Sequence, residues 1–196
     1  MTNHPFRVDI PRAVLDDLKQ RLLHARWPAN TEGDGWTYGL EAGYLKELVA
    51  YWQSDYDWRE QEKSLNRFPQ YKVSIDGIGC HYIHVRSSNR GAIPLLLLHG
   101  FPDSFYRYHK VIDRLAQPEV YGLKPQVPFD VVVPSIPGTG FSDSVALDSE
   151  ASCEVLVKLM TRVIGYSRFL AAGGDWGAMI CQAMVSTREA TGTQAK

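Results

Sequence analysis

The stretch Phe169-Leu-Ala-Ala-Gly-Gly-Asp-Trp-Gly-Ala-Met179 decides the fold of this chain. It passes from an apolar run of buried-strand type through two glycines and an aspartate into a segment of helical character. Small residues two positions before and two positions after a central residue permit a sharp strand–turn–helix elbow, because larger side chains there would collide with the helix. Gly173 and Gly177 hold these positions around Asp175. The pattern therefore predicts an elbow that raises the Asp175 side chain above a sheet.

The aspartate at the centre of this elbow selects the chemistry. A carboxylate is a weak nucleophile towards amides, but it can open a strained epoxide or displace a halide by forming an alkyl-enzyme ester. The N-terminus of the helix that follows Asp175 would stabilise negative charge. Taken alone, however, the stretch is equally consistent with an ordinary loop in which Asp175 caps the next helix.

A second segment supplies the donors that this chemistry needs. Leu95-Leu-Leu-Leu-His-Gly-Phe-Pro102 is a buried strand that ends in a glycine turn, upstream of the elbow as an oxyanion-hole loop requires. The backbone N–H groups of Phe101 and Trp176 could then face one oxygen of the Asp175 carboxyl and stabilise the charged intermediate of ester hydrolysis. His99 lies at a strand end, and we expect it to be structural rather than a general base. The residues expected to shape the two turns are His99, Gly100, Pro102, Gly173 and Gly177.

A third segment, Val131-Val-Val-Pro-Ser-Ile-Pro-Gly-Thr-Gly-Phe-Ser142, is a buried strand followed by a loop rich in proline and glycine. Such a loop turns the chain tightly at the carboxyl edge of a sheet, where ligands of open parallel sheets bind. On its own, this segment is better explained as a plain connection between a strand and a helix.

The periodicity of apolar residues changes near residue 70. Helical spacing is found at 11–26, at 44–52, and at 65 and 68. A loop rich in glycine, proline, asparagine and threonine separates the first two stretches at 27–39. Residues 1–69 are therefore predicted to form an all-helical arm, and residues 70–196 a separate core.

The core shows the alternation of strands and helices that is typical of an α/β fold. Strands are predicted at 71–76, 80–86, 94–98, 130–133 and 169–172, and helices at 104–115, 151–164 and 176–186. The first two strands form a hairpin at Asp76-Gly77. Strands that alternate with helices predict a mostly parallel sheet with crossover helices.

The composition of the 196 residues excludes several functions. With 21 basic and 22 acidic side chains, the formal net charge is −1, so no basic surface is available for a generic nucleic-acid or membrane-surface interaction. No apolar run is long enough to span a bilayer, and the N-terminus lacks the pattern of a signal peptide. We therefore expect a cytoplasmic protein with no nucleic-acid or membrane partner.

Neither a metal nor an organic cofactor is expected. The three cysteines, Cys80, Cys153 and Cys181, have no paired spacing and are expected to be small buried apolar side chains. His81 and His84 lie within a predicted strand at a spacing that points them to opposite faces, so they cannot share a metal. No glycine-rich phosphate-binding loop precedes a helix.

Taken together, these segments resemble the α/β-hydrolase epoxide hydrolases. The N-terminal region resembles the helical arm of the microsomal and juvenile-hormone branch of that family. The residues that carry this part are Phe6-Arg-Val-Asp-Ile-Pro11, Leu22-Leu-His-Ala-Arg-Trp-Pro28, Gly35-Trp-Thr-Tyr-Gly39, Trp58-Arg-Glu-Gln-Glu-Lys-Ser-Leu-Asn-Arg-Phe-Pro-Gln-Tyr71, Ile75-Asp-Gly77 and His81-Tyr-Ile-His-Val-Arg86. The resemblance covers essentially the whole chain. The arm is its specific part, because Gly-Asp-Trp-Gly and His-Gly-x-Pro also occur in haloalkane dehalogenases.

The resemblance implies a reaction and a set of roles. The activity would be the conversion of a small apolar epoxide and water into a vicinal diol, in a detoxifying role and without a cofactor. Asp175 would attack an epoxide carbon, and Phe101 and Trp176 would supply the oxyanion-hole amides.

Three further roles of the family have no matching residue in this sequence. The general-base histidine should follow the nucleophile, but no histidine follows His109. The last carboxylate side chain, Glu189, lies too close to Asp175 to be the distant orienting acid, and no tyrosine follows Tyr166 to serve in a cap domain. We therefore expect the chain alone to be inactive and to belong to a longer enzyme, completed by a C-terminal segment or a second chain.

Two other functions stay open at this point. In a haloalkane dehalogenase, the Trp176 indole N–H would help to hold the leaving halide, although the helical arm disfavours this family. A non-catalytic binding or scaffold module would keep the fold without the second half of the machinery. The sequence leaves the individual epoxide and a homo-oligomeric state undetermined.

Overall fold

The computed structural model describes residues 3–27, 35–124 and 127–190. The chain forms two compact units. One is Val8–Ser64, and the other combines the residues before Val8 with the chain from Leu65 onward. Part of the predicted loop at 27–39 lies outside the described residues. Within the part of the chain that the structure describes, no helix combines the length and the apolar character needed to cross a membrane.

The first unit is helical, as the spacing of its apolar residues predicts. Its helices are α1 (Arg12–Leu23), α2 (Ala42–Ser54) and α3 (Trp58–Leu65). Helix α3 begins earlier than the helical spacing at 65 and 68 indicated. The side chain of Glu41 caps α2 by accepting hydrogen bonds from the backbone N–H groups of Gly43 and Tyr44 at 2.8 and 2.6 Å.

A buried carboxylate fixes the chain before α1 to helix α3. Glu62 accepts hydrogen bonds from the backbone N–H of Ile10 at 2.8 Å and from the Trp58 indole at 2.6 Å. Arg59 pairs with the same carboxylate at 2.6 Å and donates a second hydrogen bond to the Ile10 carbonyl. These donors hold the pKa of Glu62 below its usual value despite its burial.

The second unit is built on one six-stranded sheet. Its strands are β1 (Asn3–Pro5), β2 (Gln70–Ile75), β3 (Ile78–Val85), β4 (Ile93–Leu98), β5 (Phe129–Pro134) and β6 (Leu170–Gly173). Their spatial order is β1-β2-β3-β5-β4-β6. Strand β4 pairs in parallel with β5 and β6, and the other pairings are antiparallel. The α/β class is confirmed, and the sheet of the described residues is mixed.

The antiparallel part of the sheet contains the hairpin of β2 and β3. Asp76 and Gly77 have φ angles of +51° and +84°, which are the left-handed conformations that a tight two-residue hairpin turn requires. Strand β1 then adds antiparallel to β2, so the predicted all-helical segment 1–69 also contains a strand. A strand of three residues is too short to give an alternating pattern in sequence.

Helices α4 (Ile112–Ala116), α5 (Ser149–Lys158) and α6 (Trp176–Ala190) belong to the same unit. The single helix predicted at 104–115 is wrong: a 3₁₀ turn at Phe105–Tyr108 precedes the short α4. In this turn, the Tyr108 hydroxyl donates a hydrogen bond to the Leu98 carbonyl at 2.8 Å. Helix α5 continues into a π-helical turn at Leu159–Val163.

The core lies where α5 and α6 pack on the sheet. Its fully buried members include Leu96, Leu98, Val132, Leu156, Leu159 and Met160. Because β4 and β5 are central strands, their buried residues form the near-continuous apolar runs seen in the sequence. This core fixes β4 and β5, and β6 is held by its parallel pairing with β4. The site is built at the carboxyl ends of β4, β5 and β6.

Shortening Leu156 to alanine should leave a cavity in this core. The substitution Leu156→Ala is expected to lower the free energy of unfolding by about 2–5 kcal/mol, measured by urea denaturation. The control is Val120→Ala, at a side chain that is 70% exposed, which should change stability by less than about 0.5 kcal/mol. Equal effects of the two substitutions would contradict this position of the core.

Candidate active site

Asp175 lies at the turn between β6 and α6, in a conformation that few residues other than glycine adopt. Its φ angle is +55°, within the left-handed region. Two close backbone contacts surround it. A Cβ on Gly177 would overlap the Leu98 carbonyl oxygen, and a Cβ on Gly173 would lie 2.8 Å from the same oxygen. The predicted elbow is therefore present, and the end of β4 explains why both flanking residues are glycines.

The turn after β4 brings a backbone donor to the Asp175 carboxylate. The N–H of Phe101 donates a hydrogen bond to Oδ1 of Asp175 at 2.8 Å. This approach requires glycine before Phe101, because a Cβ on Gly100 would lie 2.5 Å from Oδ1. The peptide bond that follows, between Phe101 and Pro102, is cis.

The carboxylate of Asp175 is stabilised in its charged form. Hydrogen bonding from the backbone amide of Phe101, and next from that of Trp176, lowers the pKa of Asp175 below its ordinary value. The positive charge of Arg107 has a smaller effect in the same direction. The side chain is also exposed, so a substrate in solution can reach it.

Two aromatic rings flank the exposed carboxylate. Phe101 and Trp176 stack with their ring centroids 5.2 Å apart and an interplanar angle of 17°. Each ring belongs to a residue whose backbone amide lowers the pKa of Asp175. The side chains remain 62% and 41% exposed, respectively, which leaves apolar surface beside the carboxylate.

His99 is fully buried, and both of its ring nitrogens have hydrogen-bond partners. Nδ1 contacts the Gly100 carbonyl at 2.9 Å, and Nε2 accepts a hydrogen bond from the backbone N–H of Ile136 at 3.2 Å. The Thr139 hydroxyl also lies 3.3 Å from Nε2. Burial lowers the pKa of His99, so the ring is neutral at neutral pH. These contacts connect the turn after β4 to the loop that follows β5.

Sequence reasoning missed Arg107. Its guanidinium forms an ion pair with Asp103, which raises the pKa of Arg107, and its charge also acts on Asp175. The spacing of four residues between Asp103 and Arg107 was a usable signal, because such a pair shares one side of a helical turn. The proximity of Arg107 to Asp175 depends on the fold and has no signal in the sequence.

The structure also describes the surroundings of the other candidate ligands. In residues 3–27, 35–124 and 127–190, no group of three or more histidine, cysteine or acidic side chains could hold a metal ion. His81 and His84 are both buried. The side chain of Glu189 lies outside the described residues.

Two family models match the chain. The model described as "Epoxide hydrolase N terminus" matches residues 3–108, and the model described as "alpha/beta hydrolase fold" matches residues 93–190. The second match contains both the turn after β4 and the elbow at Asp175.

Named relatives are similar over nearly the whole chain. "Epoxide hydrolase 1" of Sus scrofa is 39% identical over 187 residues, which cover 92% of this chain and 41% of that protein. "Juvenile hormone epoxide hydrolase 1" of Ctenocephalides felis is 37% identical over 187 residues, covering 92% of this chain and 39% of that protein. The chain thus spans about two fifths of the length of these relatives.

A solved structure agrees with the fold. The crystal structure of juvenile hormone epoxide hydrolase from the silkworm Bombyx mori superposes with a TM-score of 0.83 at 31% sequence identity. The superposition covers 96% of this chain and 50% of that one.

The close contacts at the elbow predict different outcomes for two of its glycines. Gly177→Ala places a methyl group against the backbone of β4 and is expected to lower the free energy of unfolding by about 1–3 kcal/mol. Gly174→Ala is the matched control, because its Cβ would meet only the flexible Arg107 side chain at 3.7 Å. Thermal or urea unfolding of both variants measures the difference, and equal stabilities would contradict the elbow geometry.

The hydrogen bonds to Asp175 predict its titration. We expect an NMR titration of its carboxyl carbon to give a midpoint below the usual value of about 3.9. Since the pKa is lowered in the folded state, the stabilisation is present above the unfolded pKa and is lost as the pH falls through the folded pKa. Arg107→Gln should retain most of the depression, because the two amides are its larger causes. A midpoint at or above the usual value would contradict this account.

Proposed function

The chain belongs to the epoxide hydrolases of the α/β-hydrolase fold, and we propose that its Asp175 opens an epoxide by forming a covalent ester. The supporting observation is the hydrogen bond from the Phe101 N–H to Oδ1 of Asp175. This contact holds one carboxylate oxygen and leaves the other, Oδ2, as the attacking atom.

In the proposed first step, Oδ2 of Asp175 attacks a ring carbon of the epoxide. A carbon–oxygen ester bond forms while the ring carbon–oxygen bond breaks, and its electron pair stays on the ring oxygen as an alkoxide that must take up a proton. The lowered pKa of Asp175 keeps the nucleophile ionised throughout the neutral range. Oδ1 becomes the carbonyl oxygen of the ester.

In the proposed second step, water attacks the ester carbonyl carbon and releases the diol. Negative charge then develops on Oδ1, which already accepts the hydrogen bond of the Phe101 amide. A donor that is in place before the charge develops lowers the barrier, because no reorganisation is needed. The backbone amide of Trp176 is the second proposed donor, at the first turn of α6.

A base that activates this water is the remaining requirement. His99 is unsuited to that role, because its nitrogens bind Gly100 and Ile136 within a buried loop. No histidine follows His109 in the sequence. We therefore propose that these 196 residues carry the ester-forming step, in which solvent water protonates the alkoxide, and that hydrolysis of the ester depends on a base that they do not supply.

The proposed substrate is a small apolar epoxide. The stacked rings of Phe101 and Trp176 offer apolar surface next to the nucleophile, and a neutral epoxide loses little by leaving water there. Among the relatives, "Juvenile hormone epoxide hydrolase" names one such substrate class for the Bombyx mori protein. The match to the arm model favours an epoxide over the haloalkane alternative. A detoxifying role remains a prediction of the family resemblance, and a cytoplasmic location remains a prediction of the composition of the sequence.

Styrene oxide tests the nucleophile directly. Incubation of the purified chain with excess styrene oxide should add one substrate mass, and peptide mapping should place the adduct on Asp175. The ester should accumulate because its hydrolysis requires a base. Intact-mass spectrometry over time measures both its formation and its persistence.

Two variants make the result specific. Asp175→Asn should abolish the adduct, whereas Asp113→Asn, which removes a carboxylate of α4, should leave its rate unchanged. The proposed function fails if no adduct forms on the folded wild-type chain, or if Asp175→Asn still acquires it.

A further inference from the structure

A cleft lies on the antiparallel side of the sheet. It encloses about 410 Å³, within the size range of small-molecule sites. Its walls include Tyr71, Tyr82, His84 and Arg86 from the hairpin and Val163 and Ile164 from the end of the π-helical turn. Three strand spacings separate β3 from β6, so the cleft is on the order of 14 Å from the elbow strand.

Arg86 provides a cation at this cleft. Among the described residues, it forms no ion pair with a carboxylate, and its side chain is exposed. Its guanidinium interacts instead with the Tyr166 hydroxyl. A phenol does not neutralise the charge of a guanidinium, so Arg86 remains able to pair with an anion.

A partly buried network of hydrogen bonds lies beside Arg86 in the cleft. The Tyr166 hydroxyl donates a hydrogen bond to Asp130 at 2.8 Å, and His84 Nε2 lies 3.0 Å from the same hydroxyl oxygen. Asp130 also accepts a hydrogen bond from the Ser87 N–H at 2.8 Å. The Asp130 carboxylate therefore accepts hydrogen bonds from the Tyr166 hydroxyl and the Ser87 N–H. Burial lowers the pKa of His84 to about 4, so His84 carries no charge at neutral pH.

The remaining walls suit a flat apolar group. Tyr71 and Tyr82 are cross-strand partners, and their rings stack with centroids 5.5 Å apart and an interplanar angle of 30°. Tyr82 is buried, so the ring that the cleft presents is that of the half-buried Tyr71. Val163 and Ile164 line the cleft with aliphatic side chains. An aromatic ring placed in the cleft would exchange water for these apolar surfaces.

The geometry points to a binding site for a planar aromatic carboxylate in the cleft formed by Tyr71, Tyr82, His84, Arg86, Val163 and Ile164. The carboxylate pairs with the Arg86 guanidinium, whose planar donors match two carboxylate oxygens. The ring of the ligand lies against Tyr71 and the aliphatic wall. This site is separate from Asp175 and does not depend on the proposed reaction.

Titration calorimetry of the 196-residue chain with 2-naphthoate tests the site. We expect saturable binding of one equivalent, and binding of the neutral 2-naphthamide that is at least about tenfold weaker, because a charge-assisted pair is lost. In ¹⁵N NMR spectra, naphthoate should shift the amide signals of β3 and of residues 163–164. Absence of saturable binding, or equal affinity for the amide, would overturn the assignment.

Three variants locate the contact. Arg86→Gln should weaken naphthoate binding about tenfold, whereas Arg90→Gln, an exposed arginine in the turn after β3, should bind as the wild type does. Tyr71→Leu, confirmed as folded by circular dichroism, should weaken naphthoate and naphthamide alike, because it removes stacking rather than charge. Unchanged affinity in Arg86→Gln would refute the proposed pairing.

Discussion

The close approach of the β6–α6 turn to the end of β4 is the constraint on which the site depends. The carbonyl oxygens of Leu98 and His99 occupy the space that a side chain at Gly177 would need. Since the two backbones are in contact, the turn after β4 reaches over the elbow and places the Phe101 N–H 2.8 Å from Asp175. Asp175 is thus positioned by main-chain packing.

A buried polar network supports the loop after β5, which contacts the turn after β4 through His99. His81 is fully buried and contacts the Ser135 hydroxyl at 2.8 Å and the Gln70 amide oxygen at 2.9 Å. The next residue of the loop, Ile136, donates its N–H to His99, which shapes the turn after β4. Burial lowers the pKa of His81 to about 3, so the network stays neutral and acts through geometry. Two of the six histidines therefore connect strands and loops rather than perform acid–base chemistry.

The features readable from sequence were those with a local pattern. Gly173 and Gly177 mark the elbow because the pattern falls within five residues, although the Leu98 and His99 carbonyls that exclude side chains there are distant in sequence. The Asp76-Gly77 turn is local in both pattern and cause. The break in the helix predicted at 104–115 was not readable from sequence. It coincides with a tertiary hydrogen bond, from the Tyr108 hydroxyl to the Leu98 carbonyl of β4, which depends on the fold. The same holds for the position of Arg107 near Asp175, which depends on the docking of separate strands.

The amide of Phe101 acts on both steps of the proposed reaction, and in opposite directions. A donor that lowers the pKa of Asp175 also lowers the electron density of the carboxylate, which makes it a weaker nucleophile towards the epoxide. The same donor strengthens its hydrogen bond as charge develops on Oδ1 during ester hydrolysis. Ring strain already drives the first step, whereas an alkyl ester has no such internal drive. A fixed donor on Oδ1 therefore assists the reaction most where the substrate itself contributes least.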